Sequence, residues 1–168
     1  MKLSFSILLF LCFSVSVFAQ ESSCSCCTTN HNDFDFWIGL WRVITKDGSL
    51  AGTNIIQKIQ DNCILKENWV SAKGQFTGTS YNFYNGITNQ WEQLCIDNQG
   101  GNLHLKGNRK ENQMILEYEE SINEKGQSFY NRISWTLNKD DSVRQLWETI
   151  TNNKDITIAF DGLYKKTE

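Results

Sequence analysis

The chain has 168 residues, with 16 Lys and Arg against 19 Asp and Glu, a formal net charge of −3, six cysteines and no proline. That length fits one modest domain. Mild acidity with no basic cluster excludes a phosphate backbone, and hence nucleic acid, as the expected partner, while the lack of any low-complexity linker or charge block leaves nothing to mark a second domain.

Met1 and Lys2 form a short basic start, Leu3 to Phe18 an apolar run broken only by serines and Cys12, and Val17-Phe18-Ala19 ends in a small residue. This pattern predicts a secretory signal peptide over 1–19, cut after Ala19, and an exported protein, periplasmic or extracellular. The apolar run is shorter than the ~20 residues that cross a bilayer, and no later stretch is apolar enough to span one, so no membrane span is expected after cleavage. A lipoprotein box before Cys24 is the alternative, but Glu21 fits it poorly. Loss of the signal removes Lys2 and Cys12, leaving an odd number of cysteines.

Residues 20–33 read as a Cys-rich arm before a single barrel domain over 34–168. In "CSCCTTNH", Cys24, Cys26, Cys27 and His31 form a CxCC-x3-H cluster, and thiolates with an imidazole suit zinc or Cu(I). Export to an oxidising space favours disulfides instead. The vicinal Cys26 and Cys27 are poor partners for each other, so Cys63 with Cys24, Cys26 or Cys27 is the expected bridge, ahead of Cys63 with Cys95.

From there the chain is punctuated by clusters of Gly, Asn, Asp and Lys: Lys46-Asp47-Gly48-Ser49, Ala72-Lys73-Gly74-Gln75, Asn85-Gly86, Asn98 to Gly101, Gly107 to Asn112, Asn123 to Gly126, Asn138 to Asp141 and Asn152 to Asp155, with a further break at Asp61-Asn62. Such residues accept the positive φ of hairpin turns. The segments between are rich in Ile, Val, Thr, Phe, Tyr and Trp and alternate with period two. "FYNRISWTL" sets Phe129, Asn131, Ile133, Trp135 and Leu137 on one side, and "VRQLWETI" sets Val143, Gln145, Trp147 and Thr149 on one side. About ten antiparallel strands joined in sequence order leave two bare edges unless the sheet closes. The pattern predicts an all-β fold, a closed up-and-down antiparallel β-barrel of about ten strands.

The octet "FDFWIGLW", residues 34 to 41, contains a G-x-W, Gly39-Leu40-Trp41, at the start of the first strand. This resembles the opening motif of the calycin barrels, the lipocalins and fatty-acid-binding proteins. That resemblance implies a glycine where the backbone passes close, a Trp41 ring plugging the narrow end, and a basic side chain from the closing strand "FDGLYKK" across it, Lys165 or Lys166, with Lys165 preferred. Phe34, Phe36 and Trp37 would fold under the same end. The longer order of HxxFDFWxGxW, "CILKENWV", "GTSYNFYN", "WEQLCIDNQGG", "LKGNR", "NRISWT", "VRQLWETI" and "FDGLYKK" is similar to a family of exported bacterial proteins of unknown function with calycin-like barrels. Leu40 stands where an acidic residue is expected in that family, and Cys95 where Trp is expected.

Strand parity predicts an interior lined by Ile55 and Ile59; Leu65, Glu67 and Trp69; Trp91, Gln93 and Cys95; Leu103 and Leu105; Met114, Leu116 and Tyr118; Trp135; Gln145 and Trp147; Ile158 and Phe160. In "FTGTSYNFYN", Tyr81 and Phe83 compete with Asn82 and Tyr84 for the inside. Aromatic rings with a few polar points suit a pocket for a small hydrophobic or amphipathic molecule, with Glu67, Trp69, Trp91, Gln93, Trp135, Gln145 and Trp147 as the binding residues. A water-filled interior network without ligand, or a structural or interaction protein, is the alternative. No nucleophile elbow, phosphate loop or cofactor motif is visible. Of the neutral-pH bases, His31 lies in the arm and His104 should face outward, so a Glu67/Asp97 carboxylate pair is the remaining catalytic candidate.

Overall fold

The computed structural model describes residues 24–167, so the segment read as a signal, 1–19, lies outside the described residues. Two 3₁₀ turns, Asn30–Asn32 and Asp35–Trp37, precede eleven strands: β1 (Gly39–Thr45), β2 (Leu50–Ile59), β3 (Ile64–Ser71), β4 (Thr77–Asn85), β5 (Gln90–Asp97), β6 (Asn102–Lys110), β7 (Gln113–Glu117), β8 (Ser121–Ile122), β9 (Ser128–Leu137), β10 (Val143–Thr151) and β11 (Asp155–Lys166). Every pairing is antiparallel. The order runs β10, β11, β1 through β7, then β9, and β9 pairs again with β10, closing a ten-stranded barrel. The two-residue β8 continues the line of β7 after a break and pairs only with the outer part of β9. No described helix is long and apolar enough to cross a membrane.

Most turns fall where the polar clusters predict. Positive φ is taken up by Gly48, Gly74, Gly100 and Gly126, and in turns lacking a usable glycine by Asn89, Asp141, Asn152 and Asn153. Between β6 and β7 the reversal is tighter than the cluster suggests: Gly107 to Lys110 remain in the strand and Glu111 (φ 55°) carries the turn with Asn112.

The rings of the opening octet close one end. Phe34 stacks on Trp37 at 4.9 Å and meets Trp91 and Trp135 edge-on at 5.7 and 5.2 Å. Trp41 donates its Nε1–H to the Trp37 carbonyl at 2.9 Å. Polar anchors tie this plug to the barrel: Lys58 Nζ reaches Asp35 Oδ2 and Asn32 Oδ1, both at 2.8 Å, and Arg109 donates to the Asp33 carbonyl. Gly39 (φ +151°) cannot be replaced without strain, since a Cβ there would also meet the Trp41 indole at 3.3 Å. The cation over Trp41 is Lys166, 5.6 Å from the ring centroid, and not Lys165. Register decides this: Trp41 pairs with Lys166, while Lys165 pairs with Arg42 and belongs to the other face.

Two assigned faces are corrected. In β2 the inward residues are Asn54 and Ile56, with Ile55 43% exposed, so Ile55 and Ile59 lie on the outward parity. In β11 a bulge opposite Trp147 and Glu148 inserts Ala159, which turns Ile158 outward while Phe160 stays in.

The arm is oxidised. Cys26 bridges to Cys63 in the β2–β3 turn, and Cys24 bridges to Cys27. Disulfide sulfurs offer no thiolate, so Cys24, Cys26, Cys27 and His31 do not form the metal cluster their spacing suggests, and His31 Nδ1 instead bonds the Thr28 hydroxyl at 2.7 Å.

Candidate functional site

With the plug at one end, the other end of the barrel is free to hold a cavity. Its volume is about 480 Å³, and its walls come from β3 to β6 on one side and β9 to β11 on the other. Glycines make room for rings laid along its wall. A Cβ at Gly52 would sit 2.7 Å from the Trp69 indole, and one at Gly162 would sit 2.6 Å from the Phe160 ring. Trp69 and Phe160 then meet edge-on at 6.3 Å across the barrel's interior. Trp135 shares in both halves, lining the cavity while resting against Phe34 and Trp37 of the plug.

Six of the seven residues proposed for binding line this space: Glu67, Trp69, Gln93, Trp135, Gln145 and Trp147. Trp91 does not. It belongs to the closed end, where its Nε1–H donates to the Asn30 carbonyl at 3.0 Å and its ring packs on Phe34 and Tyr84.

The polar points are joined. Glu67 Oε1 accepts from Asn54 Nδ2 and Glu67 Oε2 accepts from the Ser80 hydroxyl, both at 2.6 Å. Asn82 donates to Ser80 Oγ at 2.9 Å and accepts from Gln93 Nε2 at 2.6 Å. On the other side, Asn54 Nδ2 also reaches the Tyr164 hydroxyl at 3.3 Å, and Tyr164 donates to Gln145 Oε1. One hydrogen-bonded belt therefore runs from β10 through β11, β2, β3 and β4 to β5, and it satisfies groups that would each cost about 1 to 3 kcal/mol if buried alone. In the belt Asn54 Oδ1 is buried without a partner among the described residues, as is Trp135 Nε1 on the cavity wall.

Burial dominates the electrostatics here. It raises the Glu67 carboxyl above its ordinary range, against the opposing hydrogen bonds from Ser80 and Asn54. It also raises the Tyr164 hydroxyl, assisted by the Glu67 charge. Cys95, the one free cysteine among the described residues, lines the cavity with its thiol pushed up to about 12, first by burial and then by the Glu67 and Asp97 carboxylates. Such a thiol is a poor nucleophile at neutral pH.

Asp97 stands near the mouth and is committed to the β5–β6 turn, its Oδ1 accepting from the backbone N–H of Gln99 and Gly101 at 2.8 and 2.9 Å. His104 lies on the outer wall against Glu92 at 2.9 Å, away from the cavity.

Asn54, Ser80 and Tyr164 are site residues that the sequence reading missed, and Asn82 is one it left undecided. In β2 period-two reasoning turns the more apolar face, with Ile55, inward, and in β4 it leaves Tyr81 with Phe83 in competition with Asn82 and Tyr84. The available signal was Glu67, because a carboxylate placed inside requires donors on the flanking strands, and only the polar faces of β2 and β4 supply them.

No family model matches the chain, and no curated protein matches it. What stands is a closed ten-stranded antiparallel barrel, plugged at one end and hollow toward the other.

Proposed function

We propose that this protein is an exported carrier that binds a small, largely apolar molecule inside the barrel without transforming it. One observation supports this above the others: a cavity of about 480 Å³ walled by aromatic rings, with a satisfied polar belt along part of its wall. Pockets for small molecules combine these two elements, apolar surface for affinity and a few fixed polar groups for orientation. The carboxyl groups are held in structural roles, Glu67 within the belt and Asp97 at a turn, which favours holding over catalysis. Two disulfides fit an oxidising compartment.

The test uses the neutral fluorophore N-phenylnaphthylamine. Its emission should rise saturably with one site per barrel. Trp69→Leu should weaken binding, and Trp91→Phe, at the plug, should leave it unaltered. If neither this probe nor a panel of neutral, cationic and anionic amphiphiles gives a saturable signal, the carrier reading fails.

A further inference from the structure

We propose that the carried molecule is a hydrophobic organic amine, its ammonium group held at Glu67 and its aryl or alkyl body laid against Trp69, Trp135 and Trp147; this rests on the carrier reading and narrows it to one class of ligand. The cavity wall contains two carboxyl groups, Glu67 and Asp97, and no Lys, Arg or His among the described residues that line it. Four basic side chains around the barrel are engaged elsewhere. Lys166 lies over Trp41, Arg109 over Phe36 at the plug, Lys58 on Asp35, and His104 outside on Glu92.

A fatty acid or other carboxylate would enter this space with no counter-charge and with like charge facing it, an arrangement that disfavours the ionised form strongly at low dielectric. An ammonium meets the reverse. Glu67 is held in place by Asn54 and Ser80, which together occupy two of the roughly four acceptor positions of a carboxylate and leave the others for a ligand donor. Indole faces attract cations through their quadrupole, most strongly where water is excluded. Gln93 adds an acceptor, since its Nε2 is engaged by Asn82 and its carbonyl oxygen is left for the cavity. Burial with no cation nearby keeps the Glu67 carboxyl above its ordinary range, and a bound ammonium supplies the missing charge.

The experiment compares three ligands that differ only in the head group: phenylbutylamine, phenylbutanol and phenylbutanoate, titrated calorimetrically into the protein at neutral pH. A saturable change in tryptophan emission, from Trp69, Trp135 and Trp147 in the cavity wall, reports occupancy independently of heat. The amine should bind about tenfold tighter than the alcohol, and the carboxylate more weakly than both. Glu67→Gln should bring the amine to within about twofold of the alcohol, while retained alcohol binding shows that the variant is folded. The wild-type ranking decides the matter even if that variant does not fold. Equal or tighter binding of the carboxylate, or an amine advantage that survives Glu67→Gln, overturns this inference and leaves the carrier reading standing. No binding of any of the three, with tryptophan emission unchanged, refutes both.

Discussion

The bridge between Cys26 and Cys63 joins the arm to the β2–β3 turn and encloses the octet, β1 and β2, a sequence separation of 37. Its removal acts mainly on the unfolded chain, where a loop of that length, once freed, regains entropy worth about 4 kcal/mol at 25 °C. The folded side should change little, because the arm stays pinned by Asn30 donating to the Tyr84 hydroxyl at 2.9 Å, by Trp91 donating to the Asn30 carbonyl, and by Lys58 on Asn32. The double variant Cys26→Ser/Cys63→Ser, which avoids mispairing, should therefore unfold in urea with a free energy lower by about 2 to 4 kcal/mol. In a thermal scan the same loss corresponds to a midpoint roughly 7 to 13 °C lower for a domain of this size. The Cys24–Cys27 bridge, with a separation of 3, should matter less, with Cys24→Ser/Cys27→Ser costing about 2 kcal/mol or less. A Cys26→Ser/Cys63→Ser protein within about 0.5 kcal/mol of its parent would refute the argument, since it would mean that the unfolded chain is already held compact without the bridge.

Trp41→Ala should cost about 3 to 5 kcal/mol in the same urea assay, because the ring is 1% exposed and its N–H is bonded to Trp37. Lys166→Met should cost about 1 kcal/mol or less and Lys165→Met should have no effect through Trp41; equal losses from the two lysines would contradict the register. Glu67 makes stability depend on pH with a definite sign. Its folded carboxyl is raised above the ordinary 4.5, so its contribution is fully present below that value and is lost as pH rises through the folded value. Over the range from the ordinary carboxyl value upward, the wild type should thus lose stability relative to Glu67→Gln, in which Asn54 can turn its unpartnered Oδ1 toward the new amide. A difference that stays flat across that range would show that Glu67 is ionised at no net cost.

The barrel was legible because its signals are local. Period two, turn residues and an apolar start to β1 each act over a few residues, and together they leave closure as the way to bury the sheet edges. The cavity's larger side chains were legible for the same reason: Trp69, Trp135, Gln145 and Trp147 follow from parity within uninterrupted strands. What failed depended on register between strands. Ile158 was misassigned because a bulge shifts parity midway along β11, and Ile55 because hydrophobicity alone does not say that Glu67 next door requires Asn54. Trp91 shares a face with Gln93, yet two positions along a strand are enough to pass from cavity to plug.

The seam between β11 and β1 is unequal along its length. β1 pairs with Gly162 to Lys166, whereas Asp155 to Asp161 pair with β10 alone, so on that stretch every second amide has no strand to donate to. In kinetic terms the two ends of the barrel have separate clocks. Motions of the outer part of β11 break none of the β1–β11 ladder, so hydrogen exchange there should proceed by local opening while the amides of β1 around Trp41 should wait for global unfolding. Phe160, which forms part of the cavity wall, stands on the fast side of that divide. For the proposed carrier, ligand exchange through this region would be uncoupled from the lifetime of the fold, so that the barrel could load and release its contents many times before it unfolds once.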